Sequence, residues 1–221
     1  MTSYFITATD TDAGKTYVAC ALIRALVQAS HTVAVYKPIS AGCELEDGVL
    51  VNEDAKLLSL EANCQQTTSN INPIAFAEPI APHIAAHKIQ QPINLFQINE
   101  HFKQIENLKA GINIVEGAGG WRLPLGNAKY LSEFVKQAKL DVILVVNMKL
   151  GCLNHAILTF ESIINDGLNC IAWVANCPVP MPYLEENITE LKNLLPIPQL
   201  AILSNTNDLD KAASQFNLSL L

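Results

Sequence analysis

The chain has 221 residues, of which 50% are hydrophobic and 16% charged, so it can bury a sizeable core, and we expect one domain over residues 1–221 rather than a disordered chain. A formal net charge of −7 argues against nucleic acid or an anionic membrane surface as the main partner. Because the sequence has no signal segment, no membrane-length apolar run and no C-x-x-C pair among its six cysteines, we expect a cytoplasmic protein with reduced thiols.

Short apolar runs rich in Val and Ile alternate with amphipathic stretches along the chain. The runs predict strands at Tyr4–Thr7, Thr32–Tyr36, Asn113–Val115, Asp141–Val146, Ile171–Ala175 and Gln199–Leu203. The stretches predict helices at Lys15–Ala29, Leu95–Lys109, Leu131–Lys139, Leu153–Asp166 and Leu184–Leu194. This alternation is typical of α/β proteins with a mostly parallel, doubly wound sheet flanked by helices. Residues 43–97 are less regular and contain clustered prolines, so we expect them to wrap the edge of the sheet.

A phosphate-binding loop follows the first predicted strand. Gly14-Lys15-Thr16 stands between that strand and a helical pattern, which is the context such a loop needs. Helix N-terminal N–H groups and Lys15 would face a polyphosphate, and the Thr16 hydroxyl would face Mg²⁺. The loop is one residue longer than G-x-x-x-x-G-K-[ST] and has Ala8 in place of its first glycine. The methyl of Ala8 is tolerable in a strand conformation and costly at positive φ. Alternatively, the Gly-Lys-Thr triplet merely begins a helix.

Charged side chains follow two other predicted strands. Glu116 precedes a glycine-rich turn, and Lys37 follows Tyr36 at the end of the second strand. Asp54 lies near the start of a predicted short helix. Because the carboxyl ends of parallel strands share one edge of the sheet, we expect Lys15, Lys37 and Glu116 to converge there, and the two carboxylates are candidate metal ligands. Taken singly, each could instead be a solvated loop or cap residue.

Two more strand ends carry polar candidates. Residues 151–154 begin another predicted helix, whose N-terminus would suit an anionic substrate group. His155 follows them and is either a base or a structural residue. The amide of Asn176 could read the edge of a nucleobase. The sequence has no G-x-S-x-G, H-E-x-x-H or G-x-G-x-x-G motif, so covalent catalysis is not indicated.

Groups of residues spread in order from residue 4 to about residue 176 match one family. They are Thr9-Asp10-Thr11 with Gly14-Lys15-Thr16, Tyr36-Lys37-Pro38, Phe76-Ala77-Glu78-Pro79 with Pro82-His83, Val115-Glu116-Gly117-Ala118-Gly119-Gly120-Trp121, Lys149-Leu150-Gly151-Cys152 with Asn154-His155-Ala156, and Trp173-Val174-Ala175-Asn176. On these residues the chain resembles the dethiobiotin synthetase family of biotin biosynthesis. The resemblance implies a P-loop NTPase-like fold and the longer loop spacing.

The resemblance also implies an activity. In this family, 7,8-diaminononanoate takes up CO₂, or bicarbonate as its source, to form a carbamate; ATP with Mg²⁺ phosphorylates the carbamate, and the second amine displaces phosphate to close a ureido ring. A homodimer with substrate near the subunit interface is implied as well. Neither nucleic acid nor a membrane is an expected partner.

Site residues follow from the resemblance position by position. Those expected at the nucleotide are Asp12, Ala13, Gly14, Lys15, Thr16, Tyr17, Asp54, Glu116, Gly117, Ala118, Gly119, Asn176 and Cys177. Those expected to bind Mg²⁺ are Thr16, Asp54 and Glu116, and those expected to act in catalysis are Lys37 and Lys15. Those expected at the substrate are Thr11, Lys37, Ser40, Ala41 and, reaching across from the other subunit, Gly151, Cys152 and Asn154.

The sequence departs from the family pattern at two places besides Ala8. Ala41 stands where a serine is usual, with Ser40 one position earlier, and residues 201–204 replace a Gly-x-x-Pro turn beside the base. These departures motivate an alternative hypothesis, a non-catalytic or regulatory nucleotide-binding homologue. A third hypothesis, a partition-type switch ATPase, is disfavoured because residues 8–13 contain no second lysine.

Overall fold

A computed structural model describes residues 2–204, 206 and 208–221, in which strands and helices alternate. The strands are β1 (Thr2–Ala8), β2 (Val33–Tyr36), β3 (Ile39–Ala41), β4 (Glu44–Glu46), β5 (Val49–Val51), β6 (Ile74–Phe76), β7 (Ile112–Glu116), β8 (Pro124–Gly126), β9 (Lys129–Tyr130), β10 (Asp141–Asn147), β11 (Cys170–Cys177) and β12 (Gln199–Ser204). The helices are α1 (Lys15–Gln28), α2 (Glu53–Glu61), α3 (Thr68–Ile71), α4 (Pro82–Lys88), α5 (Leu95–Glu106), α6 (Ser132–Ala138), α7 (Cys152–Asn165), α8 (Leu184–Leu194) and α9 (Leu209–Ala213), with a 3₁₀ turn at Leu218–Leu220.

The central sheet has six strands in the order β12-β11-β10-β1-β7-β2, and every neighbouring pair is parallel. These are the six strands expected from the sequence, so the prediction of a parallel sheet flanked by helices is confirmed. One strand end differs slightly, because Glu116 is the last residue of β7 rather than a loop residue. β2 ends at Tyr36, as predicted, and Lys37 follows it.

Alternate residues of the buried strands face opposite hydrophobic layers. In β1, Ile6 packs with the layer that contains α1 and α9, whereas Phe5 packs with the layer that contains α5, α6 and α7. In β10, Val145 packs with the first of these layers and Leu144 with the second. Because both faces of these strands are buried, successive side chains are mostly apolar, and the strands form continuous apolar runs in the sequence.

The less regular segment lies beyond β2, which is the edge strand of the central sheet. There β3 pairs in parallel with β6, and β4 pairs antiparallel with β5, so neither pair extends the central sheet. The expectation that this segment wraps the sheet edge is therefore confirmed. Among the described residues, no helix combines the length and the apolar character needed to span a membrane.

Candidate active site

The loop between β1 and α1 is shaped by two residues in left-handed conformations. Gly14, the N-cap of α1, has a φ of 84°, and Asp12 has a φ of 55°. The Nδ2 of Asn176, at the end of β11, donates to the Ala13 carbonyl over 2.8 Å, which ties the loop to the sheet. A Cβ added to Gly14 would lie 2.2 Å from that Nδ2, so the loop needs glycine there for its conformation and for space.

Ala8 is the last residue of β1 and is fully buried, and its φ is not positive. The sequence left open whether Ala8 has a strand conformation or a positive φ. It has the strand conformation, in which an alanine carries no steric penalty. The helix that follows begins directly at Lys15, with the Val18 N–H donating to the Gly14 carbonyl over 3.0 Å. Gly-Lys-Thr thus sits on the strand–loop–helix junction that a phosphate loop requires.

Lys37 is at the centre of a charge cluster in which Lys37 and Glu116 are buried and Asp54 is partly exposed. Its ammonium lies 2.6 Å from Glu116 Oε1 and 2.7 Å from Asp54 Oδ2. Thr16 Oγ1 donates to the same Glu116 oxygen over 2.9 Å. Burial by itself would lower the pKa of Lys37, but the two carboxylates outweigh it, and the pKa is raised. The three predicted metal ligands and the predicted catalytic lysine therefore meet at one point.

Glu116 has one oxygen without a partner. The residue is fully buried, and its Oε2 accepts no hydrogen bond, whereas Oε1 accepts two. A buried, unpaired carboxylate oxygen is costly unless a cation or donor approaches it. Among the described residues, no group of three His, Cys, Asp or Glu side chains could hold a metal alone. This arrangement suits Mg²⁺, which needs few protein oxygens when phosphate oxygens and water complete its shell.

Lys15 approaches the same cluster from α1. Its side chain is buried, and its ammonium lies 3.4 Å from the Asp10 carbonyl. Burial lowers the pKa of Lys15, the neighbouring Lys37 lowers it further, and Glu116 counteracts both. A buried ammonium with one long hydrogen bond is ready to receive an anion.

The main cavity of the protein has a volume of about 890 Å³ and opens in front of this cluster. It is lined by Thr11, Asp12, Gly14, Lys15, Thr16, Lys37, Ser40, Ala41, Asn52, Asp54, Pro79, Ile80, Ala81, Pro82, Glu116, Ala118, Gly119 and Leu123. The glycine-rich turn after β7 forms part of the wall, and a Cβ on Gly117 would lie 2.8 Å from the Phe5 ring. The lining combines charged residues with apolar ones, which suits a ligand with an anionic part and an alkyl part.

Comparisons with known proteins identify the family of the chain. The chain matches the model of a family described as an AAA domain over residues 2–213. It is 49% identical over 212 residues, 91% of either chain, to a protein named ATP-dependent dethiobiotin synthetase from Alteromonas mediterranea. It is 38% identical over 221 residues, 100% of this chain and 97% of the other, to a protein of that name from Pseudomonas aeruginosa. The chain belongs to the ATP-dependent dethiobiotin synthetase family.

Solved structures of other proteins share the fold. The cell division protein MinD of Aquifex aeolicus superposes with a TM-score of 0.59 over 96% of this chain and 86% of that one, at 14% identity. MinD of Pyrococcus horikoshii, solved with Mg-ADP, gives a TM-score of 0.57 at 15% identity, covering 96% of this chain and 85% of that one. At these identities the likeness concerns the fold alone, and it confirms the P-loop NTPase-like architecture predicted for this dethiobiotin synthetase family member.

One departure from the family pattern, Ala41 with Ser40 before it, lies in the lining of the main cavity. The Ser40 hydroxyl is buried and donates to Asn72 Oδ1 over 2.6 Å, with Cys43 Sγ 3.0 Å away. It is therefore engaged within the protein rather than free to replace a hydroxyl at position 41. Asn72 was not among the residues selected from the sequence, although its place before Pro73 marks it as the end of a helix.

A second cavity of about 430 Å³ adjoins the loop on the side of β11. It is lined by Asp12, Gly14, Tyr17, Asn176, Pro178, Thr206 and Leu209. The Tyr17 hydroxyl donates to the Thr206 carbonyl over 3.1 Å, so Thr206 closes one side. The Asn176 amide nitrogen gives one of its two hydrogens to Ala13, so a second N–H and the amide oxygen remain as groups that could contact a ligand. Cys177 is buried at the end of β11, and burial raises the pKa of its thiol.

Gly151, Cys152 and Asn154 do not line the main cavity of their own chain. Gly151 has a φ of 93° and caps α7, which begins at Cys152. The preceding residue, Leu150, is an apolar side chain that is 95% exposed. His155, in the first turn of α7, is also exposed and lies outside the cavity.

Proposed function

We propose that this protein catalyses the ATP-dependent closure of a ureido ring from 7,8-diaminononanoate and CO₂, yielding dethiobiotin, ADP and phosphate. A carbamate oxygen attacks the γ-phosphorus of ATP and ADP leaves. The second amine then attacks the carbonyl of the mixed anhydride and expels phosphate. The observation that carries this proposal is Lys37, whose ammonium is buried between Glu116 and Asp54 at the edge of the phosphate loop in a chain of this family.

The proposed chemistry asks the protein for position and charge rather than for a covalent group. The carbamate is already a nucleophile, so catalysis consists mainly of aligning it with ATP and stabilising the charge on the transferred phosphoryl group. We assign this charge to Lys15 and Lys37. The N–H groups at the start of α1 would hold the β- and γ-phosphates.

We assign the Mg²⁺ site to Thr16, Asp54 and Glu116. Their oxygens are of the hard type that Mg²⁺ prefers, and the unpaired Oε2 of Glu116 is available to it. A cation bound there would neutralise charge on the phosphate oxygens of ATP. Lys37 would then share Asp54 and Glu116 with the cation.

The diamine is proposed to occupy the main cavity. Thr11 and the turn at Ser40 and Ala41 contribute to its lining, and Pro79 and Leu123 offer apolar surface for the alkyl chain. The nucleobase is proposed to occupy the second cavity beside Tyr17. There the Asn176 amide, which can accept through its oxygen and donate through its second N–H, would bind the edge of the base.

We further propose a homodimer in which residues 151–154 of one subunit bind the substrate carboxylate of the other. Leu150, fully exposed beside them, is the kind of side chain that an interface covers. Light scattering on the eluted protein should give the mass of a dimer, and Leu150→Glu should shift it toward monomer. A wild-type monomer at concentrations that support full turnover would refute this part.

The decisive experiment measures ADP release by the purified protein with ATP, Mg²⁺ and bicarbonate, with and without 7,8-diaminononanoate, together with the mass of the organic product. We expect ADP release that depends on the diamine and a product of the mass of the cyclic urea. Nucleotide binding without turnover of the diamine would refute the synthetase and favour the regulatory alternative.

A further inference from the structure

We propose that Asn72 is the positioning residue for Lys37, holding the backbone from which the catalytic ammonium extends; this inference rests on the proposed function of Lys37. The Nδ2 of Asn72 donates to the Lys37 carbonyl over 2.8 Å, and its Oδ1 accepts from the Ser40 hydroxyl over 2.6 Å. Both hydrogen bonds are buried. Asn72 makes no hydrogen bond to the carboxylates that contact the Lys37 ammonium, so its effect on the reaction passes through the Lys37 backbone or through Ser40.

The Lys37 backbone has no partner in either adjoining sheet. The ladder between β2 and β7 ends at the pair Tyr36 and Val115, and the ladder between β3 and β6 begins at Ile39. Lys37 lies at the corner between the two sheets and is followed by Pro38, which has no N–H group. Without Asn72, the Lys37 carbonyl would be a buried acceptor with no donor, a costly state for a backbone group.

Consecutive residues bind the two backbone groups of Lys37. The Ile71 carbonyl accepts from the Lys37 N–H over 2.8 Å, and the Asn72 side chain donates to the Lys37 carbonyl. The end of α3 therefore clamps this residue from one side. An amide is suited to this place because it donates from one atom and accepts at the other, whereas a carboxylate only accepts and an apolar side chain does neither.

Asn72 itself is held firmly. It is 5% exposed and ends α3, which stops there because the following Pro73 disfavours a helical conformation for the residue before it. Because Asn72 is held in place, its hydrogen bond to the Lys37 carbonyl also holds the peptide group that follows Lys37. The ammonium stands four carbons from its Cα, so a small rotation at the root is magnified at Nζ. A misplacement of about 1 Å at a reacting group costs about 10²-fold in rate.

The test compares Asn72→Ala and the isosteric Asn72→Asp with Asn113→Ala. Asn113 is also a buried asparagine, but it pairs with Ser3 at the opposite end of the strands. Both Asn72 variants should lose about 10- to 100-fold in kcat, while KM for ATP stays within about twofold. Asn113→Ala should lower Tm without this selective loss. Asn72→Asp keeps an oxygen that accepts from Ser40, but it places a carboxylate oxygen against the Lys37 carbonyl, and both of these atoms are acceptors. A side chain of the same size should therefore not restore the rate.

A double-mutant cycle separates positioning from general destabilisation. If Asn72 acts through Lys37, then Lys37→Ala/Asn72→Ala should turn over no more slowly than Lys37→Ala alone. Fully additive losses, or a kcat within about twofold of wild type in folded Asn72→Ala, would overturn the inference. An inactive wild type would instead count against the proposed function. In that case a crystal structure of Asn72→Ala still decides: the Lys37 ammonium should leave hydrogen-bond distance of Glu116, and its retention would refute the role.

Discussion

The ammonium of Lys37 lies 2.6 Å from Oε1 of Glu116, the same oxygen that accepts from Thr16. One oxygen of Glu116, at the end of β7, therefore contacts both Lys37, which follows β2, and Thr16 in the first turn of α1. These groups come from distant parts of the sequence and meet because the strands are parallel and their carboxyl ends lie along one edge. The charge that the proposed reaction needs is therefore assembled before any ligand enters.

Replacing either catalytic lysine should slow turnover strongly. Lys37→Ala and Lys15→Ala should each lower kcat by at least about 10², the scale of losing one charge contact to the transition state. Diamine-dependent ADP release at saturating ATP is the measurement. Lys103→Ala, which breaks only an exposed pair with Glu100, is the matched control and should turn over normally. Near-normal rates in both Lys15 and Lys37 variants would refute the assigned roles.

Lys37 and a divalent cation should compete for Asp54 and Glu116. Lys37→Met removes the ammonium that now pairs with these carboxylates, so nucleotide-free protein should bind Mn²⁺ about tenfold more tightly. Paramagnetic resonance of the free Mn²⁺ gives the affinity without any turnover. Lys15→Met removes a charge that touches neither carboxylate and should give a smaller gain. Equal gains in both variants, or no gain in Lys37→Met, would contradict the competition.

Gly14→Ala should weaken nucleotide binding. The added Cβ would lie 2.2 Å from Asn176 Nδ2 and would break the hydrogen bond that ties Ala13 to β11. Gly48→Ala is the control, because Gly48 has nearly the same φ, 83° against 84°, with no atom within 4 Å of an added Cβ. Both variants should lose about 1–2 kcal/mol of stability from the left-handed backbone. Only Gly14→Ala should weaken ATP binding, by at least about tenfold in a calorimetric titration.

The ion pair of Asp54 should make stability depend on pH in the acid range. Burial would raise the pKa of Asp54, but the Lys37 ammonium 2.7 Å away outweighs it and holds the pKa below the ordinary 3.8. A carboxyl with a lowered folded pKa contributes stability that is present above the unfolded value of about 3.9 and is lost as pH falls through the folded value.

Urea unfolding of wild type and Asp54→Asn across this range tests the sign. We expect wild type to be the more stable above pH of about 5 and the difference to shrink as pH falls below about 4. Asp47→Asn, in the exposed turn between β4 and β5, controls for the loss of one negative charge. A stability difference that stays constant down to the lowest pH would contradict the assigned pair.

The local pattern was enough to predict the elements that carry the site. The central strands are buried on both faces, so their apolar runs marked all six, and Gly14-Lys15-Thr16 marked the loop because its chemistry depends on neighbouring residues. The parallel order also allowed the convergence of Lys15, Lys37 and Glu116 to be predicted. Two features could not be predicted from the sequence. That Ala8 fits the loop depends on its backbone angle, and that the Ser40 hydroxyl is bonded within the protein depends on a partner far away in the chain.

The sequence by itself therefore determined the fold class, the phosphate loop and the residue types available for charge stabilisation, all of which follow from periodicity and short-range pattern. Only the tertiary structure decided how these residues are held. Asn72 reaches Lys37 across 35 positions, and Asn176 reaches Ala13 across 163. Such contacts are made by side chains whose neighbours are set by packing of distant elements, and a hydrogen bond of this kind leaves no periodic signal in the chain.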